Sequence, residues 1–181
     1  MAETNEARME KTIASLKDSF NSIRTGRASA AMFDKVFVDY YGTKSPLNQV
    51  ATIAIPEARS VIITPFDKSL ISEIERAIQA ANLGLNPSND GKVIRIQVPA
   101  LTAERRQELV KQAKATAENS RTAIRNIRRD GNDELKKQQK AGELTEDGLK
   151  SETDKLQKLT DKYIDEINKM YDSKEKDILQ N

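Results

Sequence analysis

Apolar positions recur with a helical period at both ends of this sequence and lose that period in the middle. Near the start, Met9, Ile13, Leu16, Phe20 and Ile23 stand four and three residues apart, the stripe of an amphipathic helix. A second stripe runs Val110, Ala113, Ala117, Ser120, Ile124, Ile127, Gly131. In a third, Leu149, Leu156, Tyr163 and Met170 recur every seventh residue. A neighbouring row holds Ile164, Tyr171 and Ile178, with Ile167 between the two. Such seams belong to long helices packed at a shallow angle. The spacing predicts a first helix of about 25 residues and a second of about 40, roughly 60 Å long. Thr102 is a suitable N-cap for the second helix. Gly142 ends it, and Thr145 with Glu146 and Asp147 opens the third. So short a link makes helices two and three antiparallel. The first helix then supplies the third side of a bundle, because a lone long helix has nowhere to bury its seam.

The middle reads differently. All five prolines (Pro46, Pro56, Pro65, Pro87 and Pro99) fall there, and residues 1–29 and 102–181 have none. Proline lacks the N–H that a helix interior needs and clashes with the preceding turn. Residues 35–41, 50–55, 61–64 and 93–98 are rich in β-formers and read as strands. Leu70, Ile74, Ala77, Ile78 and Ala81 form one face of a short helix that stops at Asn82-Leu83-Gly84. Asn89-Asp90-Gly91 marks a turn. The expected fold is therefore α+β. Residues 1–29 and 102–181 build a long antiparallel three-helix bundle, and residues 30–101 form a small inserted domain of β/α/β character. The chain crosses between them at Ser29, Ala30 and Ala31 and again at Pro99, Ala100 and Leu101. Few contacts cross such a boundary, so the paired crossings read as a hinge.

Composition narrows the chemistry. With no Cys and no His, thiol catalysis, disulfides, Cys/His metal sites and an imidazole base are excluded. No Gly-x-x-x-x-Gly-Lys-[Ser/Thr] loop is present to bind a nucleotide. The carboxylates lie on helical faces of alternating charge, as in solvated helices. The expectation is a non-enzyme without cofactor or metal. The first residues mix charges and contain no apolar run, so they read as neither signal peptide nor membrane span. The cytoplasm is the expected location, with a mature organelle protein also open.

Charge distribution says more than the net value of +2. Residues 102–142 carry a net +5 and residues 143–181 a net −4. At 100° per residue, Arg121, Arg125, Arg128 and Asn132 fall within about 60° of one another on the second helix. Arg129 lies on the outer flank of that strip, which sits roughly 90° from the apolar seam. The arginines should therefore edge the core without being buried in it. They could be a solvated face paired to the acidic third helix. They could equally grip an anionic partner, because arginine makes bidentate phosphate contacts and stacks on bases. Periodicity alone does not separate RNA from an acidic protein. Gly131, on the seam, allows either a close helix–helix approach or a kink.

At these residues the sequence becomes recognisable. Arg125-Asn126-Ile127-Arg128-Arg129-Asp130 resembles the arginine motif of the ribosome recycling factor family. Ile23-Arg24-Thr25-Gly26-Arg27-Ala28-Ser29 is similar to the segment that closes the family's first helix. Tyr40-Tyr41-Gly42-Thr43, Leu83-Gly84-Leu85-Asn86-Pro87 and Leu101-Thr102-Ala103-Glu104-Arg105-Arg106 follow in family order. Ala30 stands where many members have proline, and Gly131 where many have alanine.

The resemblance implies an L-shaped pair of domains and a monomer. It also implies a role after translation termination. The protein would bind the large ribosomal subunit through ribosomal RNA and, with elongation factor G and GTP, split the ribosome into subunits. Carried over to this sequence, it places Arg128 at the centre of the RNA contact. Arg125, Arg129 and Asn132 lie beside it, the strip extends to Arg121, and Arg24, Arg27 and Arg106 lie near the bundle end. Arg24 and Arg27 could instead cap helix one or brace the hinge. The competing class is a coiled-coil structural or chaperone-type protein with no RNA role, whose binding would ignore the arginine strip.

Overall fold

The computed structural model describes residues 3–180. In chain order the elements are α1 (Asn5–Asn21), β1 (Phe37–Tyr40), β2 (Thr43–Pro46), the single turn α2 (Leu47–Val50), β3 (Ala51–Glu57), β4 (Ser60–Pro65), α3 (Ile71–Ala80), β5 (Ser88–Asn89), β6 (Ile94–Gln97), α4 (Ala103–Lys140) and α5 (Glu146–Gln180). Short 3-10 turns occupy Ala30–Phe33 and Lys68–Leu70. The chain divides into two compact units. One holds α1, α4 and α5, and the other is Thr25–Thr102.

The helical unit is built on the seams. Met9, Leu16 and Phe20 of α1, Ala113, Ala117, Ile124 and Ile127 of α4, and Leu156, Tyr163, Ile167 and Ile178 of α5 are buried. Burying each large apolar side chain contributes about 1.5–3 kcal/mol relative to leaving it in water. Two seam positions differ from the expected stripe. Leu109 is buried where Val110 was expected, and Thr160 is fully buried although polar. Thr160 is accommodated because its hydroxyl donates to the Leu156 carbonyl one turn earlier, at 2.8 Å.

α1 is 17 residues long, shorter than the expected 25 or so. Its last turn is closed by Ser22, whose hydroxyl donates to the Ser19 carbonyl at 2.6 Å. That local bond competes with continuation of the helix. Ile23 lies beyond the helix and is buried all the same.

Gly131 sits inside an unbroken α4, so close approach is its role. A Cβ there would lie 2.7 Å from both Asn5 Nδ2 and Leu156 Cδ2. The helix-propensity penalty of about 1 kcal/mol for glycine is offset by letting α1 and α5 close on α4.

Between α4 and α5, Gly142 adopts φ +80°. Glu143 N–H donates to the Gln138 carbonyl and Gly142 N–H to that of Gln139, the paired bonds of a Schellman stop. Thr145 Oγ1 then accepts from Gly148 N–H at 2.9 Å and starts α5.

The second unit has its own core around Phe33, Val38, Leu47, Ile63, Ile74, Ile78, Ile94 and Ile96. Its four-stranded sheet has the order β3-β4-β6-β5, and β1 and β2 form a separate hairpin. Every strand pair is antiparallel, with α3 between β4 and β5 in sequence. The β1–β2 hairpin turns on Tyr41 (φ 49°) and Gly42 (φ 78°), the two left-handed positions of a type I′ turn. Neither β2 nor β5 was legible in the sequence. β2 is polar and ends on Pro46, and β5 is two residues long.

Residues 30–33 are a 3-10 turn rather than open linker. Ala28 N–H already donates to the Ala58 carbonyl at 2.7 Å. By contacts the unit therefore begins at Thr25, ahead of Ser29, Ala30 and Ala31. At the other crossing, Pro99, Ala100 and Leu101 have no regular structure.

Candidate nucleic-acid interface

α4 positions the strip. Its helix is continuous from Ala103 to Lys140, so Arg121, Arg125, Arg128 and Asn132 fall on one face as helical geometry requires. Beside the seam they are exposed to different degrees. The Arg121 side chain is 17% exposed and that of Arg125 47%. Arg128 and Asn132 are half-buried and Arg129 is exposed. Arg121 is thus more enclosed than a purely edging position implies.

The partners of these arginines decide between the two readings of the strip. Arg121 Nε donates to Asn168 Oδ1 at 2.8 Å, and its Nη1 to Glu118 Oε2 at 2.9 Å. Arg125 Nη1 reaches the other oxygen of the same Glu118 at 3.3 Å. Arg128 Nη1 donates to Gln157 Oε1 at 3.1 Å. Among the described residues, Arg129 holds no ion pair. No carboxylate of the acidic α5 pairs with any of the four arginines; α5 offers them two neutral amides instead. Among the described residues, the anion paired with the strip is Glu118, one turn back on α4 itself. The hydrogen bond from Arg121, with that from Arg125 behind it, pulls the Glu118 carboxyl below the ordinary carboxylate range. One ionised carboxylate against four guanidinium groups leaves the strip strongly cationic. Guanidinium groups held in place and not neutralised are suited to phosphate oxygens and base faces.

The other expected contact residues are placed less uniformly. Asn132 turns its Oδ1 inward, where it accepts no hydrogen bond from the described residues, so that oxygen does not face a partner. Arg106 is directed along the bundle. Its Nη1 donates to the Leu179 carbonyl in the last turn of α5 at 3.0 Å, and its Nε is buried. A cation there complements the negative end of the helix dipole, so part of the Arg106 guanidinium is committed within the protein. Arg24, just beyond α1, is exposed. Arg27 is exposed too but belongs to the Thr25–Thr102 unit.

The groups that hold the strip were not foreseen. Glu118 was detectable as an i,i+3 partner of Arg121. Gln157 and Asn168 carry no signal in a single sequence, because an exposed amide on a helix is compositionally ordinary. Among the described residues, no cluster of three or more acidic groups is arranged to hold a metal ion, and no helix is long and apolar enough to cross a membrane.

Comparison with known proteins places this architecture. A family model described as ribosome recycling factor matches residues 16–179. The ribosome-recycling factor of Treponema denticola is 58% identical over 176 residues, covering 97% of this chain and 95% of its own. That of Halalkalibacterium halodurans is 57% identical, with the same coverage of both chains. A solution structure of the ribosome recycling factor superposes with a TM-score of 0.80 at 40% identity, covering 98% of this chain and 94% of its own. A second structure is described as models for the T. thermophilus ribosome recycling factor and the E. coli elongation factor G bound to the E. coli post-termination complex. It matches with a TM-score of 0.64 at 40% identity, over 97% of this chain and 95% of its own.

Proposed function

The chain belongs to the ribosome recycling factor family, and from that premise we propose that it recycles ribosomes after translation termination. It binds the large ribosomal subunit and, with elongation factor G and GTP, splits the post-termination ribosome into subunits. The chain itself is not an enzyme. It acts as a cytoplasmic monomer that holds RNA while the partner factor turns over GTP.

The observation that supports the RNA contact is the arginine strip of α4, whose four guanidinium groups face a single paired carboxylate. Arg128 is its centre, Arg125 and Arg129 flank it, and Arg121 closes one end. Asn132, Arg24 and Arg106 extend the contact towards the ends of the helices, with Arg106 sharing its guanidinium with the α5 terminus, and Arg27 is a further RNA-binding cation carried by the other unit. The crossings at Ser29–Ala31 and Pro99–Leu101 act as the paired hinge on which the smaller unit moves.

Arg128→Ala is the direct test. Large-subunit affinity should fall by tenfold or more, as expected for loss of a charge-assisted contact worth about 1.5–3 kcal/mol, while the circular dichroism spectrum stays unchanged. Wild-type affinity in this variant would remove the RNA clamp from the reading. Ribosome splitting should require elongation factor G and GTP, and the purified chain alone should hydrolyse no GTP above background.

A further inference from the structure

α5 carries ten acidic residues, yet the side it turns to the arginine strip offers amides. At 100° per residue, Gln157, Asp161, Ile164, Asn168, Tyr171 and Glu175 lie within about 80° of one another. Two of these six are carboxylates, and each is engaged by a neutral donor of its own helix. Asp161 Oδ1 accepts from Gln157 Nε2 at 2.9 Å. Glu175 Oε2 accepts from the Tyr171 hydroxyl at 2.5 Å. The groups that reach the arginines are Gln157 Oε1, on Arg128, and Asn168 Oδ1, on Arg121.

We infer that Gln157 and Asn168 are positioning residues for the RNA contact: they hold Arg128 and Arg121 in place and add no charge of their own. The inference rests on the RNA-binding role proposed above. An arginine loses rotamer entropy when it grips a phosphate, and an acceptor that fixes the side chain beforehand removes part of that loss. A carboxylate would fix it equally well but would compete with the phosphate for the same N–H groups and neutralise the charge. Each amide oxygen here accepts one hydrogen bond from its arginine and, being neutral, leaves the cation intact. Asp161 completes the arrangement. By accepting from the Gln157 NH2 group it sets which end of the amide faces Arg128, and so acts on the arginine through Gln157 while its own charge stays one residue removed.

The test uses the full-length chain, large ribosomal subunits and a titration of monovalent salt. Gln157 and Asp161 are both exposed, so their substitution leaves the core untouched. Gln157→Glu places a carboxylate on Arg128. Affinity should fall about tenfold, and the slope of log affinity against log salt should become shallower by about one, the signature of one lost phosphate contact. Gln157→Leu removes the brace but not the charge, so affinity should fall only a few-fold with the slope unchanged. Asp161→Asn should also weaken binding a few-fold without altering the slope. A purely structural role for Gln157 would move thermal stability and leave the salt slope of Gln157→Glu unaltered. The inference is overturned if Gln157→Glu binds with wild-type affinity and slope while Arg128→Ala loses binding. If Arg128→Ala also binds as wild type, the failure lies in the RNA reading itself.

Discussion

At the scale of single residues, the charge of the strip turns on Glu118. Its two oxygens hold Arg121 and Arg125, and those bonds lower its pKa. Ionised Glu118 therefore adds to the stability of the fold above its unfolded-state pKa. That contribution is lost as the pH falls through the lower folded-state value, so at neutral pH the carboxylate is fully charged and competes with any incoming phosphate. Glu118→Gln keeps the shape and removes the charge. Large-subunit affinity should rise, with a salt slope steeper by about one, and stability should stay close to that of wild type because the group is at the surface. Weaker binding in this variant would mean that Glu118 orients its arginines more than it competes for them. The residue types of the strip were legible in the sequence. Whether they faced solvent, carboxylates or amides was not, since that depends on which α5 positions come alongside α4.

Among the elements, the long helices were legible because their period extends over many turns, and their ends were marked by residues with a physical reason to be there. The α4–α5 turn is the clearest case. Gly142 occupies a left-handed position where an added Cβ would meet nothing within 4 Å, so the cost of Gly142→Ala is purely conformational, about 1–2 kcal/mol. Thr145→Ala loses the bond to Gly148 N–H and costs about 1 kcal/mol. The two sites are three residues apart and shape one turn, so the double variant should fall short of additivity by a few tenths of a kcal/mol or more. Denaturant unfolding of the two single variants and the double variant measures this. Single changes below about 0.3 kcal/mol would show that the turn follows the helices instead of setting their register. What escaped the sequence reading was short or locally ambiguous. Leu109 and Val110 are adjacent apolar residues, and only packing decides which faces the core. β5 is held by pairing with β6 and has no propensity of its own to detect.

For the whole molecule, a net charge of +2 describes neither of its faces. The basic α4 and acidic α5 lie side by side, and α5 presents the amides of Asn168 and Gln157 to Arg121 and Arg128. The proline map foretold a division of the chain, though contacts draw it at Arg24/Thr25 and Thr102/Ala103, outside the marked small residues and proline. The reason is visible at Ala28, whose N–H is tied to the β3–β4 turn; the chain joins the sheet unit before it reaches Ser29. Residues 25–102 thus contain a sheet, a hairpin, one amphipathic helix and a closed apolar core from Phe33 to Val98. A unit with its own core can fold alone, but at this size its stability should be only about 3–5 kcal/mol. The fragment 25–102 should give a dispersed amide NMR spectrum and a single cooperative melt. It keeps Arg27 but lacks Arg121, Arg125, Arg128 and Arg129, so its salt-sensitive affinity for the large subunit should be far weaker than that of the whole chain. A fragment beginning at Ala30 loses the Ala28–Ala58 bond and Gly26, which is buried at φ +80°, and should melt at lower temperature. Equal melting of the two fragments would move the working boundary back to Ser29; a broad spectrum and no transition in either would show that the sheet unit depends on the bundle for its fold.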